Sequence, residues 1–478
     1  MVLDRDLASV QEVRNLVEAS YIAQKAYAKL GQKEVDHVVE GLSKVAFANS
    51  ESLAKLACEE TGFGKWEDKL QKNVLASKTL WNFMKDMKTI GVLNEDPVRK
   101  VIQIGTPMGV IAGIIPSTNP TSTVIYKVLI ALKSGNSIVF SPHPSALKCI
   151  TETVNILRKA CIQYGVPEDL IGCISMPTME ASDALMKHPK VAMILATGGS
   201  AMVKAAYSSG TPALGVGPGN VPAYIERTAD VKDAVKKIFM SKGFDYGTVC
   251  ASEQSIVVDR CIETEVRRAV IENGGLFLEG DALEKVKRVM ERPGGGMNPI
   301  IVGKSAQVIA KLAGIEIPES VTLLVSDEPG IGPRYPFSKE KLTQLMGFYV
   351  VEDWKEACET CHALLKNGGL GHTLSIHSKD ETIIKTFAME KPVSRFLVNT
   401  PSTHGAVGIS TGLAPSLTLG CGTIGGSATG DNVTPLHLIN SRWMAYGLDE
   451  KKPVESESPI DVELICNLVI EQLNKINR

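Results

Sequence analysis

Short, almost unbroken apolar runs separated by helical patterns constrain this chain more than any other feature. Val110 to Ile115 is such a run, and a strand without polar alternation has to be buried on both faces. The same signature returns in NSIVFSP (136–142), GCISMP (172–177), VAMILAT (191–197) and VPAYIE (221–226). Helix-period segments lie between them, and strands alternating with helices predict a parallel, doubly wound sheet of the α/β class. A second α/β pattern begins at SEQSIVVD, just after Cys250, and continues through RFLVNTP (395–401). The first ninety residues read as amphipathic helices, as in VQEVRNLVEASYIAQKAYAKL, while VRKVIQI from residue 98 alternates like an exposed strand. No repeat recurs at a solenoid period. At 478 residues the chain exceeds one ordinary core, so two or three domains are expected.

Charge and hydropathy exclude several functions. A net charge of −2 gives no electrostatic footprint for nucleic acid or an anionic membrane. No apolar stretch is long enough to span a bilayer. The N-terminus, MVLDRDLASVQEV, lacks the basic start and apolar core of a signal peptide. Ten cysteines without regular spacing fit a reducing, cytoplasmic setting better than a disulfide framework. Cys358-Glu359-Thr360-Cys361-His362 matches a c-type haem attachment pattern. The surrounding EDWKEACETCHALLKNGG reads instead as a helix with Trp354, Ala357, Cys361, Leu364 and Leu365 at helical spacing. No metal site is expected.

Cys250 stands in SKGFDYGTVCASEQSI (241–256), between small residues that leave the thiol little cover, as a presented nucleophile requires. Thr197-Gly198-Gly199-Ser200 follows the run VAMILAT and leads into a helical pattern. Glycines there let backbone N–H groups and the helix dipole meet a pyrophosphate, although such a turn also serves as plain punctuation. Ser141-Pro142-His143-Pro144 ends the second buried run, where a cofactor ribose is usually read. Asn119 lies in PSTNP (116–120) after the first run, and alone would pass for a turn residue before Pro120.

These segments, with GVGPGN (215–220), resemble the aldehyde dehydrogenase superfamily and specifically its CoA-acylating branch, over nearly the whole chain to about residue 447. Within that branch it resembles the propionaldehyde and acetaldehyde dehydrogenases of bacterial microcompartments. The resemblance implies a Rossmann-like cofactor domain (1–225) interrupted by a hairpin near 95–106, a catalytic domain (226–430) and an oligomerisation arm (431–447). It implies Cys250 as nucleophile, Asn119 as oxyanion donor, and NAD held by Thr118, Ser141, Pro142, His143, the 197–200 turn and Gly217. NADP stays open, since neither the lysine of many hydrolytic members at Ser141 nor an acid for the ribose is present. Glu340, in SKEKLTQLMG, matches the glutamate that grips the nicotinamide-side ribose, with a surface-helix glutamate as the alternative. Hydrolytic members carry a water-activating glutamate where this chain has Val216, so the acyl group is expected to pass to coenzyme A. His372, in Gly369-Leu370-Gly371-His372-Thr373, could accept the CoA proton or be a structural donor. Cys421, in the glycine-rich run 417–440, reads as a second exposed thiol without a supporting base. The chain would be a homo-oligomer, dimer or tetramer. Rivals are a hydrolytic aldehyde dehydrogenase, a glutamyl-phosphate reductase, and an inactive binding or scaffold protein of the same fold.

The end of the chain differs in kind. LDEKKPVESE (448–457) reads as a polar linker, and Ser458-Pro459-Ile460-Asp461 as a helix start. Ile460, Leu464, Ile465, Leu468, Val469, Leu473 and Ile476 then share one helical face, opposite Asp461, Glu463, Asn467, Glu471 and Lys475. The resemblance implies that 458–478 is a tethered helix able to dock on a microcompartment shell protein.

Overall fold

A computed structural model describes residues 4–292, 296–448 and 462–476. The apolar runs become strands, and among the described residues these gather into three sheets. A hairpin comes first, with β1 at Gly91–Asp96 and β2 at Val101–Pro107, wider at both ends than 95–106. The strands β3 (Val110–Ile115), β4 (Ser137–Pro142), β5 (Ile171–Cys173), β6 (Val191–Thr197) and β7 (Ala213–Val216) form an all-parallel sheet in the order β5-β4-β3-β6-β7. Every residue of β3 and β4 is buried, as unbroken apolar runs require. The order reverses between β3 and β6, which opens a crevice at the carboxyl ends of those two strands.

The second sheet has seven parallel strands: β8 (Val221–Ile225), β9 (Glu253–Asp259), β10 (Gly275–Phe277), β11 (Leu323–Asp327), β12 (Leu345–Val351), β13 (Gly371–His377) and β14 (Val393–Val398). Their order is β10-β11-β12-β9-β8-β13-β14. The sequence reading counts VPAYIE with the first sheet, but β8 pairs with β9 and β13 in the second. An apolar run states that a strand is buried and is silent about its neighbours, so the crossing between sheets falls at 217–220 rather than after 225. The last strand, β15 (Ile439–Ala445), returns to pair antiparallel with β2 and completes the three-stranded sheet β1-β2-β15. All but the first residue of β15 are exposed. Segment 172–177 shrinks to the short β5, and the haem-like pattern lies in the helix Trp354–Lys366 with Cys361 fully buried.

Two buried polar groups bind the crevice together. The helix Pro120–Lys133 is buried along its whole length. Its Lys127 Nζ donates to Ile114 O and Leu195 O, 2.7 Å each, tying the ends of β3 and β6. Tyr126 Oη donates to Val433 O at 2.6 Å and shares a hydrogen bond with Ser416 Oγ, fastening the C-terminal run to the first sheet. The helix Val462–Ile476 lies at the chain's end, with Val462, Leu464, Ile465, Leu468, Val469 and Leu473 half or more exposed. The expected linker beyond Leu448 and the helix start at 458–461 lie outside the described residues. No helix among the described residues is long and apolar enough to cross a membrane.

Replacing Tyr126 by Phe keeps the ring and strands the Val433 carbonyl. Urea unfolding should show a loss of about 1–3 kcal/mol, the cost of a buried acceptor left unpaired.

Candidate active site

The crevice between β3 and β6 deepens into a cavity of about 830 Å³ that reaches the loop before β9. Each wall comes from a strand end. The segment after β3 supplies Thr118 and Asn119, the end of β4 supplies Ser141, Pro142 and His143, and β6 supplies Thr197 followed by Gly198 and Gly199. Gly217, Cys250 and Glu340 close the far side. The structure therefore brings together on one cavity every site residue named above except Ser200 and His372. Ser200 opens the helix Ser200–Tyr207, and its side chain lies outside the described atoms.

The turn after β6 fits an anionic ligand. Gly199 caps its helix without any side chain accepting from the first turn, and a Cβ there would meet no atom within 4 Å. Thr197 Oγ1 is buried with no partner. A helix N-terminus with open backbone donors and an unpartnered hydroxyl suits the pyrophosphate of a dinucleotide. Ser141 Oγ is already engaged with Ser182 Oγ at 2.8 Å, and Glu340 is the sole carboxylate of the described lining.

Cys250 is presented by backbone geometry. Asp245 and Tyr246 adopt φ of 48° and 50°, which turns the chain sharply before the cysteine. Gly219 packs against the same loop so closely that a Cβ would stand 2.0 Å from the Cys250 carbonyl oxygen. Only glycine fits there. The Gly219 N–H donates to Glu340 Oε1 at 3.0 Å, so nucleophile loop and glutamate are held by one residue. Burial pushes the Cys250 thiol up to about 12, helped by the charges of Glu340 and Cys421 and opposed by Arg395. Burial likewise raises the Glu340 carboxyl to about 7, against the Gly219 N–H. The thiol is therefore less free than its small neighbours suggest: small residues open the cavity side, while the walls are apolar.

Three expectations change. Cys421 is not exposed but 1% accessible, packed into the same apolar cluster as Val216 and Cys250. His372 is fully buried and absent from the lining. Its Nδ1 meets Thr373 Oγ1 at 2.9 Å, its Nε2 has no partner, and burial and Arg395 hold its pKa well below the usual value. It sits behind Gly219 rather than before the thiol. Glu340 belongs to a loop that follows a 3₁₀ turn, Pro336–Ser338, and not to a surface helix.

The sequence reading missed the residues beneath this site. On the helix Trp66–Val74, Lys69 and Lys72 stand one turn apart and both meet Asp245 Oδ2, Lys69 at 3.0 Å. Arg395 is buried and donates to the carbonyl of His372 at 3.0 Å, that of Gly430 at 3.2 Å, and Asn432 Oδ1 at 3.3 Å. The sequence offered no strong signal for them, since Lys69 and Lys72 lie in a largely polar helix whose buried residues are Asp68, Lys69, Lys72 and Asn73.

Known proteins agree with this architecture. Residues 2–324 match the aldehyde dehydrogenase family. The chain is 44% identical to the bifunctional aldehyde-alcohol dehydrogenase AdhE of Escherichia coli K12 over 92% of its length and 50% of that protein's. It thus spans about half the length of such relatives. It is 36% identical to the acetylating succinate-semialdehyde dehydrogenase of Clostridium kluyveri, over 92% of this chain and 97% of that one. Superposition on an acetylating aldehyde dehydrogenase from Geobacillus thermoglucosidasius gives a TM-score of 0.92 at 49% identity, covering 94% and 99% of the two chains. A propionaldehyde dehydrogenase from the fucose utilisation microcompartment of Clostridium phytofermentans gives 0.83 at 26% identity, covering 92% and 99%. The chain belongs to the aldehyde dehydrogenase family and has its fold.

A thiol raised to about 12 is almost wholly protonated at neutral pH. Iodoacetamide labelling of Cys250, followed by peptide mass spectrometry without cofactor, should accelerate about tenfold per pH unit from 7 to 10. A plateau near 8.5 would show an ordinary thiol.

Proposed function

We propose that this family member oxidises a short, uncharged aliphatic aldehyde, acetaldehyde or propionaldehyde, to its acyl-CoA, with NAD as oxidant. The observation that carries this reading is Cys250 facing a cofactor-sized cavity with Val216, not a carboxylate, on the wall where a water-activating base would stand. The names of the G. thermoglucosidasius and C. kluyveri relatives, both acetylating, support it. A hydrolytic route has no base at 216 to activate water.

In this reading Cys250 Sγ adds to the aldehyde carbon as the thiol proton passes to solvent in the cavity. The new oxyanion accepts from the Asn119 side-chain amide and the Cys250 backbone N–H. NAD would be held by Thr118, Ser141–His143, Thr197–Ser200, Gly217 and Glu340, and would supply the hydride acceptor. Loss of hydride leaves a thioester on Cys250. The CoA thiol then attacks the acyl carbon, and the Cys250 thiolate departs. His372, buried behind Gly219, is assigned no step here. Glu340 is the one carboxylate on the described lining, so NADP is a second oxidant to assay.

The aldehyde end of the cavity is lined by Leu75, Phe244, Val249, Val407, Ile409 and Leu419. The one lysine on the described lining, Lys72, is engaged by Asp245. Nothing there pairs with a substrate carboxylate, which favours neutral aldehydes over an acidic semialdehyde. The exposed strand β15 and hairpin β1-β2 would mate with a second copy in a dimer or tetramer. The tail helix, with its exposed apolar residues and acidic Glu463 and Glu471, fits a protein shell better than an anionic membrane. A microcompartment would consume a reactive aldehyde where it forms.

An NADH absorbance assay tests the reaction. Full turnover should require CoA, with at most one NADH per Cys250 in its absence, and Cys250→Ala should fall below about one-thousandth of the parent rate. Sustained CoA-independent turnover at the full rate refutes acylation. Deleting residues 448–478 should leave activity and assembly unchanged. Fusing 458–478 to a fluorescent protein should carry it into shells, and a diffuse signal beside intact shells refutes the targeting role.

A further inference from the structure

At the cavity floor, where Lys72 joins the lining, two ammonium groups share one carboxylate oxygen. Lys69 and Lys72 both meet Asp245 Oδ2, while Asp245 Oδ1 accepts from the Lys65 N–H at 2.8 Å. All three side chains are at least nine-tenths buried. One carboxylate cannot neutralise two ammoniums, and Asp68 is taken by Lys65 at 2.8 Å and by the Asp245 N–H at 2.7 Å. A surplus positive charge is thus held in a dry site, where it must find other acceptors.

Each lysine finds one next to the cavity. Lys69 Nζ donates to Thr118 O at 3.0 Å, and Lys72 Nζ donates to Asn119 Oδ1 at 2.6 Å. An ammonium has donors only, so it can face only the oxygen of the Asn119 amide. The NH₂ end is thereby turned the other way, where Nδ2 reaches Thr248 O at 3.3 Å, two residues before Cys250, and Thr118 Oγ1 at 3.2 Å. Without the lysine, only the longer bonds from Nδ2 to Thr248 O and Thr118 Oγ1 would hold the amide against turning over and presenting oxygen to the nucleophile. An oxygen there would repel a developing oxyanion.

We propose that Lys72 is a positioning residue for the aldehyde oxyanion: it fixes the flip of the Asn119 amide and polarises it, so that Nδ2–H faces the reacting carbonyl. This rests on the acylating reading above and names a lining residue that acts through Asn119. The charge acts through the amide dipole, because a cation on Oδ1 strengthens donation from Nδ2. Burial lowers the Lys72 ammonium to about 8 and Asp245 pulls it back up, so charge is retained near neutrality. Asp245 is held below its usual range, burial being outweighed by Lys72 and Lys69.

A double-mutant cycle tests the proposal on the full chain. The single-turnover rate of NADH formation is measured for the parent enzyme, Lys72→Met, Asn119→Ala and the double variant. Lys72→Met should lower this rate roughly 10–100-fold with little change in the aldehyde KM, a fraction of the 10²–10³ for removing the donor itself. In the Asn119→Ala background the same change should cost less than about threefold, since the group it orients is gone. Lys72→Arg, which keeps charge and donors, should recover at least about tenfold over Lys72→Met. Equal losses in both backgrounds, a loss confined to KM, or an arginine no better than methionine overturns the role. NADH binding by fluorescence identifies any variant that fails to fold, and the arginine variant then carries the comparison. A parent enzyme without CoA-dependent turnover would sink the functional reading instead.

Discussion

Asp245 is the constraint on which the site depends. A fully buried carboxylate must be matched by charge and hydrogen bonds or the fold loses several kcal/mol. Here the matching groups come from the helix Trp66–Val74, and the carboxylate from the loop that carries Cys250. Thr118 and Asn119, at the end of β3, complete the same network. Three segments distant in sequence are locked by one ionic contact, and their side chains meet on one cavity wall. The strained backbone at Asp245 and Tyr246 persists because that contact over-determines it.

The two sheets play different parts around this lock. The five-stranded sheet supplies open backbone donors at β6 and small side chains at β4, which suits a long, anionic, largely generic ligand. The seven-stranded sheet supplies the nucleophile and the glutamate. They are sewn together at Gly217–Asn220, where Asn220 donates to the carbonyls of Ser338 and Leu364 at 2.7 and 2.8 Å. Gly219 touches both Cys250 and Glu340. The short crossing between sheets is therefore part of the site rather than a linker.

Much of this was legible in the residues. The unbroken apolar runs gave β3, β4 and β6 because burial on both faces leaves no room for polar alternation. The glycine turn after β6 and the small residues around Cys250 stood out because their function forbids bulk. What stayed hidden is instructive. VPAYIE looks like any buried strand, and its pairing with β9 depends on chain direction after Val216. Lys69 and Lys72 look like ordinary helix-surface charges, since only the fold reveals that their face is covered. His372 carries the right residue type in a glycine-flanked strand, yet the strand's side assignment turns it away from the cavity. Periodicity reports burial well and reports the identity of the neighbour poorly.

Val216 carries a consequence for how such enzymes diverge. Its side chain is 4% exposed and packs with Leu75, Phe244, Val249 and Leu419. A glutamate placed there would lose its hydration to hydrocarbon, and desolvation of that kind raises a carboxyl by several units. It would sit neutral at physiological pH, unable to draw a proton from water. Crossing from thiol to water as the acyl acceptor therefore requires a rebuilt, wetter pocket as well as a new side chain. A lone Val216→Glu change would place a buried acid against Leu75, Phe244, Val249 and Leu419 without bringing the water that such an acid must activate.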